Sequence, residues 1–252
     1  MSLRYRRPCD VKRERAVGYF ESRRNSCWQF LLQEKRRPTE ILEFLRSFKG
    51  VIAFHACRPA AVRPYYVKGL KVADHDQLTE IARSIFVSPE FPEIDRAQFD
   101  EITSEISKID HAKTYVALDE EELVRFCGHY LIYGSEHICV IAASLMRIGG
   151  RDYRQVLKRF GIPTILKLAI PFDAIAKQQI IQLADYLSDW CEEFIGWDEP
   201  PHFSWSFVFD EPLRAEFVVA HCHPPVIPDP LLMGRPYRYG GNRWGRSVKL
   251  VE

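Results

Sequence analysis

The sequence predicts an α+β fold, in which strands lie on both sides of a helical middle. Apolar runs at 51–54 and 164–171, which contain several β-branched residues, indicate buried strands on either side of a helical middle. Within that middle, segments such as 76–86 repeat apolar residues at the spacing of one helix face. Because strands and helices do not alternate regularly, a parallel βαβ series is not predicted.

The first half of the chain supplies most of the predicted helices. Thr39 is expected to cap a helix that runs to about Phe48, and Gly50 ends it. A strand follows over 51–54, and Pro59 and Pro64 argue against a regular helix after it. Two amphipathic helices over 76–86 and 94–109, a strand over 113–118 and a helical turn over 119–126 complete this half.

The second half returns to strands. Residues 136–148 are apolar enough for a buried helix, although β-branched residues leave a strand at its beginning open. A short helix over 152–160 ends at Gly161, and a strand over 164–171 leads into a helix over 172–197. Segments 203–209 and 214–221 are expected to pair as a hairpin around residues 210–212.

Composition indicates an ordinary globular protein in a reducing compartment. The 252 residues are 46% hydrophobic and 27% charged, and no apolar stretch approaches the ~20 residues of a membrane span. The basic N-terminus is not followed by the apolar segment of a secretory signal. Seven scattered cysteines without a Cys-x-x-Cys pair indicate neither a disulfide framework nor a zinc knuckle. We therefore expect a cytoplasmic protein with no membrane partner.

Charge is concentrated at the two ends and in the middle. Residues 1–37 hold eleven bases and four acids, 74–122 hold fourteen acids and four bases, and 234–249 hold five bases and no acid. We expect a basic N-terminal arm and helix over 1–49, a main domain over 50–230 and a basic, aromatic tail over 231–252. The tail suits stacking on single-stranded bases, and a solvated or edge-covering tail is the simpler alternative.

Three chemically versatile residues occupy distinctive positions. His55 ends the apolar run 51–54, Tyr115 lies in the predicted strand 113–118, and Glu136 stands between a turn and an apolar run. Each also has an ordinary explanation: a hydrogen-bonded core histidine, a packed strand tyrosine and a glutamate at a helix start. The glycine-rich loops of dinucleotide-binding Rossmann domains and of P-loop proteins are absent from the sequence.

The segments around these residues resemble motifs of a known family. The run from His55 through Ala56 and Arg58 to Gly69-Leu70, and the segment Tyr133-Gly-Ser-Glu136-His-Ile, are similar to motifs of ADP-ribosyltransferases of the diphtheria-toxin and poly(ADP-ribose) polymerase type. The resemblance covers roughly residues 50–140. It implies a split mixed or antiparallel sheet with flanking and inserted helices, a catalytic domain over 50–230, and NAD as substrate without a metal.

The resemblance also implies a role for each site residue. Glu136 would stabilise the oxocarbenium-like transition state formed when the nicotinamide–ribose bond breaks. The remaining contacts to NAD would come from His55 on a ribose hydroxyl, the Ala56 backbone on the carboxamide, Arg58 on the pyrophosphate, Tyr115 stacked on nicotinamide, Ser135, and a second tyrosine, for which Tyr130 is preferred over Tyr65, Tyr66 and Tyr133.

The resemblance implies transfer of ADP-ribose to a macromolecule, protein or nucleic acid, with an antitoxin protein as a further candidate partner. Two other hypotheses remain open: a non-catalytic nucleic-acid-binding module, favoured by the Arg-rich ends, and an inactive transferase-fold scaffold. Weaker alternatives are a metal site at His221-Cys222-His223 and a nucleophilic Cys57 or Cys127.

Overall fold

The computed structural model describes residues 19–21, 31–32, 34–106, 113–196 and 204–239. The predictions for the basic arm before residue 19 and for the tail beyond residue 239 lie outside these ranges. Within them no helix is long and apolar enough to cross a membrane.

The described residues form one large sheet and one small one. The strands are β1 (Tyr19–Phe20), β2 (Gly50–Cys57), β3 (Thr114–Ala117), β4 (Thr164–Pro171), β5 (Ser206–Phe209), β6 (Val218–Cys222), β7 (Val226–Asp229) and β8 (Arg235–Arg238). The large sheet has the order β5-β3-β2-β4-β6, with β1 added parallel to β2 and every other pair antiparallel. Strands β7 and β8 form a separate antiparallel pair. The predicted α+β class is therefore confirmed.

Ten α-helical segments accompany the strands in the described ranges. They are α1 (Pro38–Arg46), α2 (Arg63–Lys68), α3 (His75–Phe86), α4 (Arg96–Ile106), α5 (Glu120–Arg125), α6 (Gly128–Ile132), α7 (Glu136–Ser144), α8 (Met146–Gly149), α9 (Arg154–Leu157) and α10 (Lys177–Phe194). Residues 136–144 are helical from the start, so the open alternative of a strand there is excluded. The prediction that prolines prevent a helix after β2 is wrong for α2. Pro64 lies in its first turn, where the missing N–H has no partner within the helix.

The predicted hairpin between 203–209 and 214–221 is also wrong. β5 pairs with β3 and β6 pairs with β4, so the two strands form opposite edges of the large sheet. The connection crosses between them through a bridge from Leu213 to Leu70 and a 3-10 turn over Ala215–Phe217. Residues 210–212 lack the Asn-Gly type of turn that fixes a tight hairpin, so no local signal determined the pairing.

Two hydrophobic cores cover the two faces of the large sheet. On the first, called the α10 face, Val51, Ala53 and Leu166 pack against Leu183 and Leu187 of α10. On the second, called the α7 face, the alternate residues of the same strands pack against helices α3, α4 and α7, as Ile52, Phe54, Ile165, Phe86, Phe99 and Ile141 show. Alternation along each strand therefore tells which face a side chain occupies.

Strand β2 is the centre of the sheet and is paired unevenly on its two edges. All eight of its residues pair with β4. The other edge is shared by β1, at Gly50 and Val51, and by β3, whose register with β2 holds the single pair Phe54–Ala117. The pairing of β1 with β2 and the packing of α1 against α10 cross the domain boundary expected at 49/50. The pairing of β7 with β8 crosses the boundary expected at 230/231.

Candidate functional site

Glu136 is held at the surface by a tyrosine from the preceding helix. It begins α7, and the phenol of Tyr130 donates a hydrogen bond of 2.8 Å to its Oε2. Ser135 caps the helix by accepting a hydrogen bond from the Ile138 amide. Gly134 precedes the cap with φ 93°, a left-handed conformation that glycine adopts without strain. The hydrogen bond from Tyr130 therefore restrains the Glu136 side chain, and Ser135 caps the helix that Glu136 begins.

Tyr115 presents its ring to solvent in the same neighbourhood. It is 56% exposed although it lies within strand β3. Ala117 packs in the α7-face core, so alternation places the Tyr115 side chain on that face as well. Burial raises the pKa of the Tyr130 hydroxyl, the hydrogen bond to Glu136 adds to the rise, and Tyr115 is near enough to contribute a smaller part. Tyr115 and Glu136 are thus exposed and Tyr130 is half-buried, and the three lie in one neighbourhood.

Two further residues belong to this group: His129, which was missed in the sequence, and Cys127, which was considered there only as a nucleophile. The rings of His129 and Tyr130 have centroids 4.1 Å apart. Burial lowers the pKa of His129, and the nearby Glu136 carboxylate opposes that shift. Burial raises the pKa of the Cys127 thiol, with Glu122 and Glu136 adding to the rise, so the thiol stays protonated. A histidine next to Tyr130 and seven residues before Glu136 was the available signal.

His55 reaches this region through the backbone of Tyr115. Its Nδ1 lies 2.9 Å from the Tyr115 carbonyl oxygen, which can only accept, so Nδ1 carries the proton. Burial lowers the pKa of His55, which favours the neutral ring. Because Val51 and Ala53 belong to the α10-face core, the imidazole extends from the opposite face to Tyr115. The structure therefore links His55 to β3 but does not bring its side chain beside Glu136.

Ala56 and Arg58, both expected at NAD, occupy different surroundings. Ala56 is buried on the α7 face, pairs with Ile165 and lies two residues beyond the single β2–β3 pair. The Arg58 guanidinium donates to the carbonyls of Leu131, Lys158 and Phe160 at 2.6–2.8 Å, and to the Tyr237 hydroxyl at 3.2 Å. Four N–H groups of the guanidinium are thereby used. Arg58 connects the segment after β2 to three other parts of the chain and does not face an anion site.

The other candidate tyrosines lie elsewhere. Tyr133 is buried, and its hydroxyl donates to Asp229 at 2.6 Å. Tyr65 interacts with the Cys57 thiol, and Tyr66 is 2.7 Å from His221 Nδ1 on the α10 side of the sheet. Tyr130 is therefore the tyrosine that contacts Glu136 in the described residues.

The alternative chemistries find little support in the geometry. His221 contacts Tyr66, and His223 Nδ1 lies 2.9 Å from the Pro163 carbonyl, so both imidazoles have hydrogen-bond partners. No group of three or more His, Cys, Asp or Glu residues suited to a metal occurs in the described part of the chain. Burial raises the pKa of the Cys57 thiol to about 12, which disfavours the thiolate that a nucleophile requires.

The candidate site is an open surface. It combines a carboxylate fixed by a phenol, an exposed aromatic ring and a half-buried imidazole that is neutral near pH 7. Such a set can stabilise a developing cation, stack on a flat ring and accept a proton. A separate open groove of about 210 Å³, lined by Glu101, Glu105 and Arg147 among others, lies beyond the other end of α7.

Comparisons with known proteins found a distant similarity to a viral protein. An uncharacterised protein of Acanthamoeba polyphaga mimivirus is 29% identical over 140 residues, which are 51% of this chain and 37% of the viral protein. The chain thus spans well under half the length of that relative. No family model and no solved structure matches the chain.

Proposed function

We propose that this protein is a mono-ADP-ribosyltransferase that cleaves NAD at the nicotinamide–ribose bond and transfers ADP-ribose to a macromolecular acceptor. The observation that carries the proposal is the group Tyr115, Tyr130 and Glu136, three residues separated in the chain that share one exposed surface. The motif resemblance around His55 and Glu136 adds to it. The accompanying location would be the cytoplasm.

Glu136 is assigned the central electrostatic role. When the bond from ribose C1′ to the nicotinamide nitrogen breaks, the electron pair leaves with nicotinamide and positive charge develops on the sugar. A carboxylate fixed beside the ribose stabilises that charge more in the transition state than in the ground state. The hydrogen bond from Tyr130 restrains Glu136 before the substrate arrives, which reduces the reorganisation needed.

The neighbouring side chains complete the reaction. The exposed ring of Tyr115 offers a face on which nicotinamide can stack. His55 acts indirectly, because its hydrogen bond to the Tyr115 carbonyl fixes the strand that carries this ring. After C1′ is attacked by a hydroxyl, amine or similar nucleophile of the acceptor, the neutral His129 takes the released proton.

Nicotinamide release from NAD by the purified protein tests the proposal. Glu136→Gln keeps the shape of the side chain and removes its charge, so we expect release to fall at least about 100-fold. Glu101→Gln, which alters an exposed glutamate on α4, is the matched control and should leave the rate unchanged. Equal rates for the wild type and Glu136→Gln would refute the assignment.

Substitutions of Tyr115 separate binding from chemistry. Tyr115→Phe keeps a ring for stacking and should retain NAD affinity, whereas Tyr115→Ala should raise KM more than it lowers kcat. If the folded wild-type protein does not bind NAD in calorimetry, the inactive scaffold becomes the better hypothesis. Salt-sensitive RNA binding without NAD turnover would instead favour the nucleic-acid-binding module.

A further inference from the structure

The turn between β7 and β8 carries an apolar projection that the proposed reaction does not use. Leu231, Leu232 and Met233, here called the β7–β8 tip, are consecutive and are 38%, 37% and 99% exposed. Three adjacent exposed apolar side chains at the end of a hairpin are unusual for a surface with no partner. Met233 has almost no contact with the rest of the described structure.

The tip is strained as well as exposed. Met233 has φ 54° and is the non-glycine residue with positive φ in the described ranges. A side chain in this left-handed region costs free energy, and Met233 recovers none of it by packing. Gly234, with φ 76°, follows immediately and has open space around its α-carbon, so the conformation is not imposed by crowding there.

The tip is nevertheless held in place by hydrogen bonds to Asp229. Asp229 accepts a hydrogen bond from the Leu231 amide through Oδ1, and its backbone carbonyl accepts another from the Gly234 amide. The same carboxylate is buried and is bound by Tyr133 and Lys158. A buried charge network therefore holds the apolar tip in one conformation, ready for a contact.

Basic and aromatic residues follow the tip and indicate the chemistry of that contact. Arg235 and Arg238 of β8 are exposed, and neither forms an ion pair with another described residue. Residues 231–239 contain these two bases and no acid, together with the half-buried Tyr239. An apolar projection followed by exposed cations complements an anionic lipid surface.

A bilayer suits this tip better than the other partners. Three side chains cover too little area for a stable protein interface, which takes about 800 Å² from each partner. A nucleic acid would use the arginines but offers no apolar environment to leucine and methionine. The interface of a bilayer accepts individual apolar side chains without a shaped pocket.

We propose that the β7–β8 tip inserts into the surface of an anionic membrane, with Arg235 and Arg238 at the headgroups. This is a surface contact and requires no membrane-spanning segment. It departs from the sequence-based expectation of no membrane partner, which rested on the lack of a membrane-spanning segment. The proposal is independent of the reaction on NAD, because none of the residues involved belongs to the group around Glu136.

Sedimentation with vesicles tests the insertion. The full chain should bind vesicles of phosphatidylcholine mixed with phosphatidylserine and bind pure phosphatidylcholine weakly. Leu232→Ser with Met233→Ser should lower the partition coefficient by at least about tenfold, because the apolar area available for insertion is lost. Arg235→Glu with Arg238→Glu should remove the preference for phosphatidylserine, and added salt should have the same effect.

Met146→Ser is the matched control, because Met146 is also an exposed methionine but lies on α8, away from the tip. It should bind vesicles as the wild type does, and matching circular dichroism spectra would show that all variants fold. The proposal is overturned if the wild type does not sediment with anionic vesicles, or if the tip variant still does. Loss of a dimer in the tip variant during gel filtration, without vesicle binding by the wild type, would assign the tip to self-association instead.

Discussion

The buried carboxylate of Asp229 should contribute strongly to the stability of this fold. Its side chain is 1% exposed and accepts hydrogen bonds from Tyr133 at 2.6 Å, Lys158 at 3.1 Å and the Leu231 amide at 3.1 Å. Asp229 joins β7 to two other parts of the fold. Tyr133 lies between α6 and α7, just before the turn that leads to Glu136, and Lys158 directly follows α9. We therefore expect Asp229→Asn to destabilise the protein although the side chain keeps its size.

The magnitude follows from what each partner loses. Breaking a fully buried ion pair costs about 3–5 kcal/mol. The Lys158 side chain is 20% exposed and can regain some hydration, and the asparagine oxygen can still accept from Leu231. We expect a loss of about 2–3 kcal/mol for Asp229→Asn. Tyr133→Phe removes one hydrogen bond to a charged group and should cost about 1.5–3 kcal/mol.

Urea unfolding followed by circular dichroism measures both effects. At an m-value of about 2–3 kcal/mol/M, Asp229→Asn should lower the midpoint by about 1 M. The double variant with Tyr133→Phe should lose less than the sum of the single losses, by about 1 kcal/mol, because both substitutions remove the same hydrogen bond. A change below about 0.5 kcal/mol for Asp229→Asn, or strict additivity, would refute the reasoning.

Three further predictions concern the ends of β2 and the two half-buried histidines. Arg58→Lys leaves at least two buried carbonyls without their donor, and should lower the free energy of unfolding by about 2–4 kcal/mol in the same urea assay. Gly161→Ala should be strongly destabilising, since φ is 67° and the new methyl would meet the Arg58 carbonyl oxygen at 2.4 Å. In Gly150→Ala, with φ 66° and no atom within 4 Å, only the backbone strain applies; equal melting temperatures for the two variants would contradict this. Burial lowers the pKa of His55 and His129 in the folded state, so the unfolded chain takes up protons first as the pH falls. The contribution of these histidines to the free energy of unfolding should be fully present above about pH 6.5 and should decline below it, by up to about 1.4 kcal/mol per pH unit for each histidine. Urea unfolding midpoints measured across this pH range check the decline. His55→Asn should make the decline less steep.

Local patterns in the sequence predicted most of the elements. The helix predicted over 76–86 and the strand over 164–171 correspond to α3 and β4 within a residue. Both are set by apolar periodicity along a short segment, which depends little on the rest of the chain. The helix predicted over 94–109 corresponds to α4 at Arg96–Ile106, and residues 107–109 lie outside the described ranges.

Strand pairing was the part that the sequence could not supply. β5 and β6 are neighbours in the chain, yet β5 pairs with β3 and β6 with β4. That choice is made by the free edges of strands some 50–90 residues away, as the pairs Val116–Phe207 and Ile165–Cys222 indicate. β1 was missed for the same reason, because two residues in a basic segment form a strand only beside β2.

The candidate site shows the same division. The sequence indicated Tyr115, Tyr130 and Glu136, which belong to one surface group in the structure. Arg58 resembled an anion-binding residue because its acceptors at Leu131, Lys158 and Phe160 lie 73–102 residues further along. Its structural role was therefore invisible before the fold was known.

The lone residue pair between β2 and β3 divides the large sheet into two ribbons of unequal strength. β2 and β4 are paired at eight positions, whereas β3 is joined to β2 by one residue pair and by the hydrogen bond from His55 to the Tyr115 carbonyl. Local unfolding should therefore begin between β2 and β3 and leave the pairing of β2 with β4 intact. Backbone amides of β3 would then exchange with deuterium faster than those of β4. A small molecule bound next to Tyr115 would slow the exchange of the β3 amides.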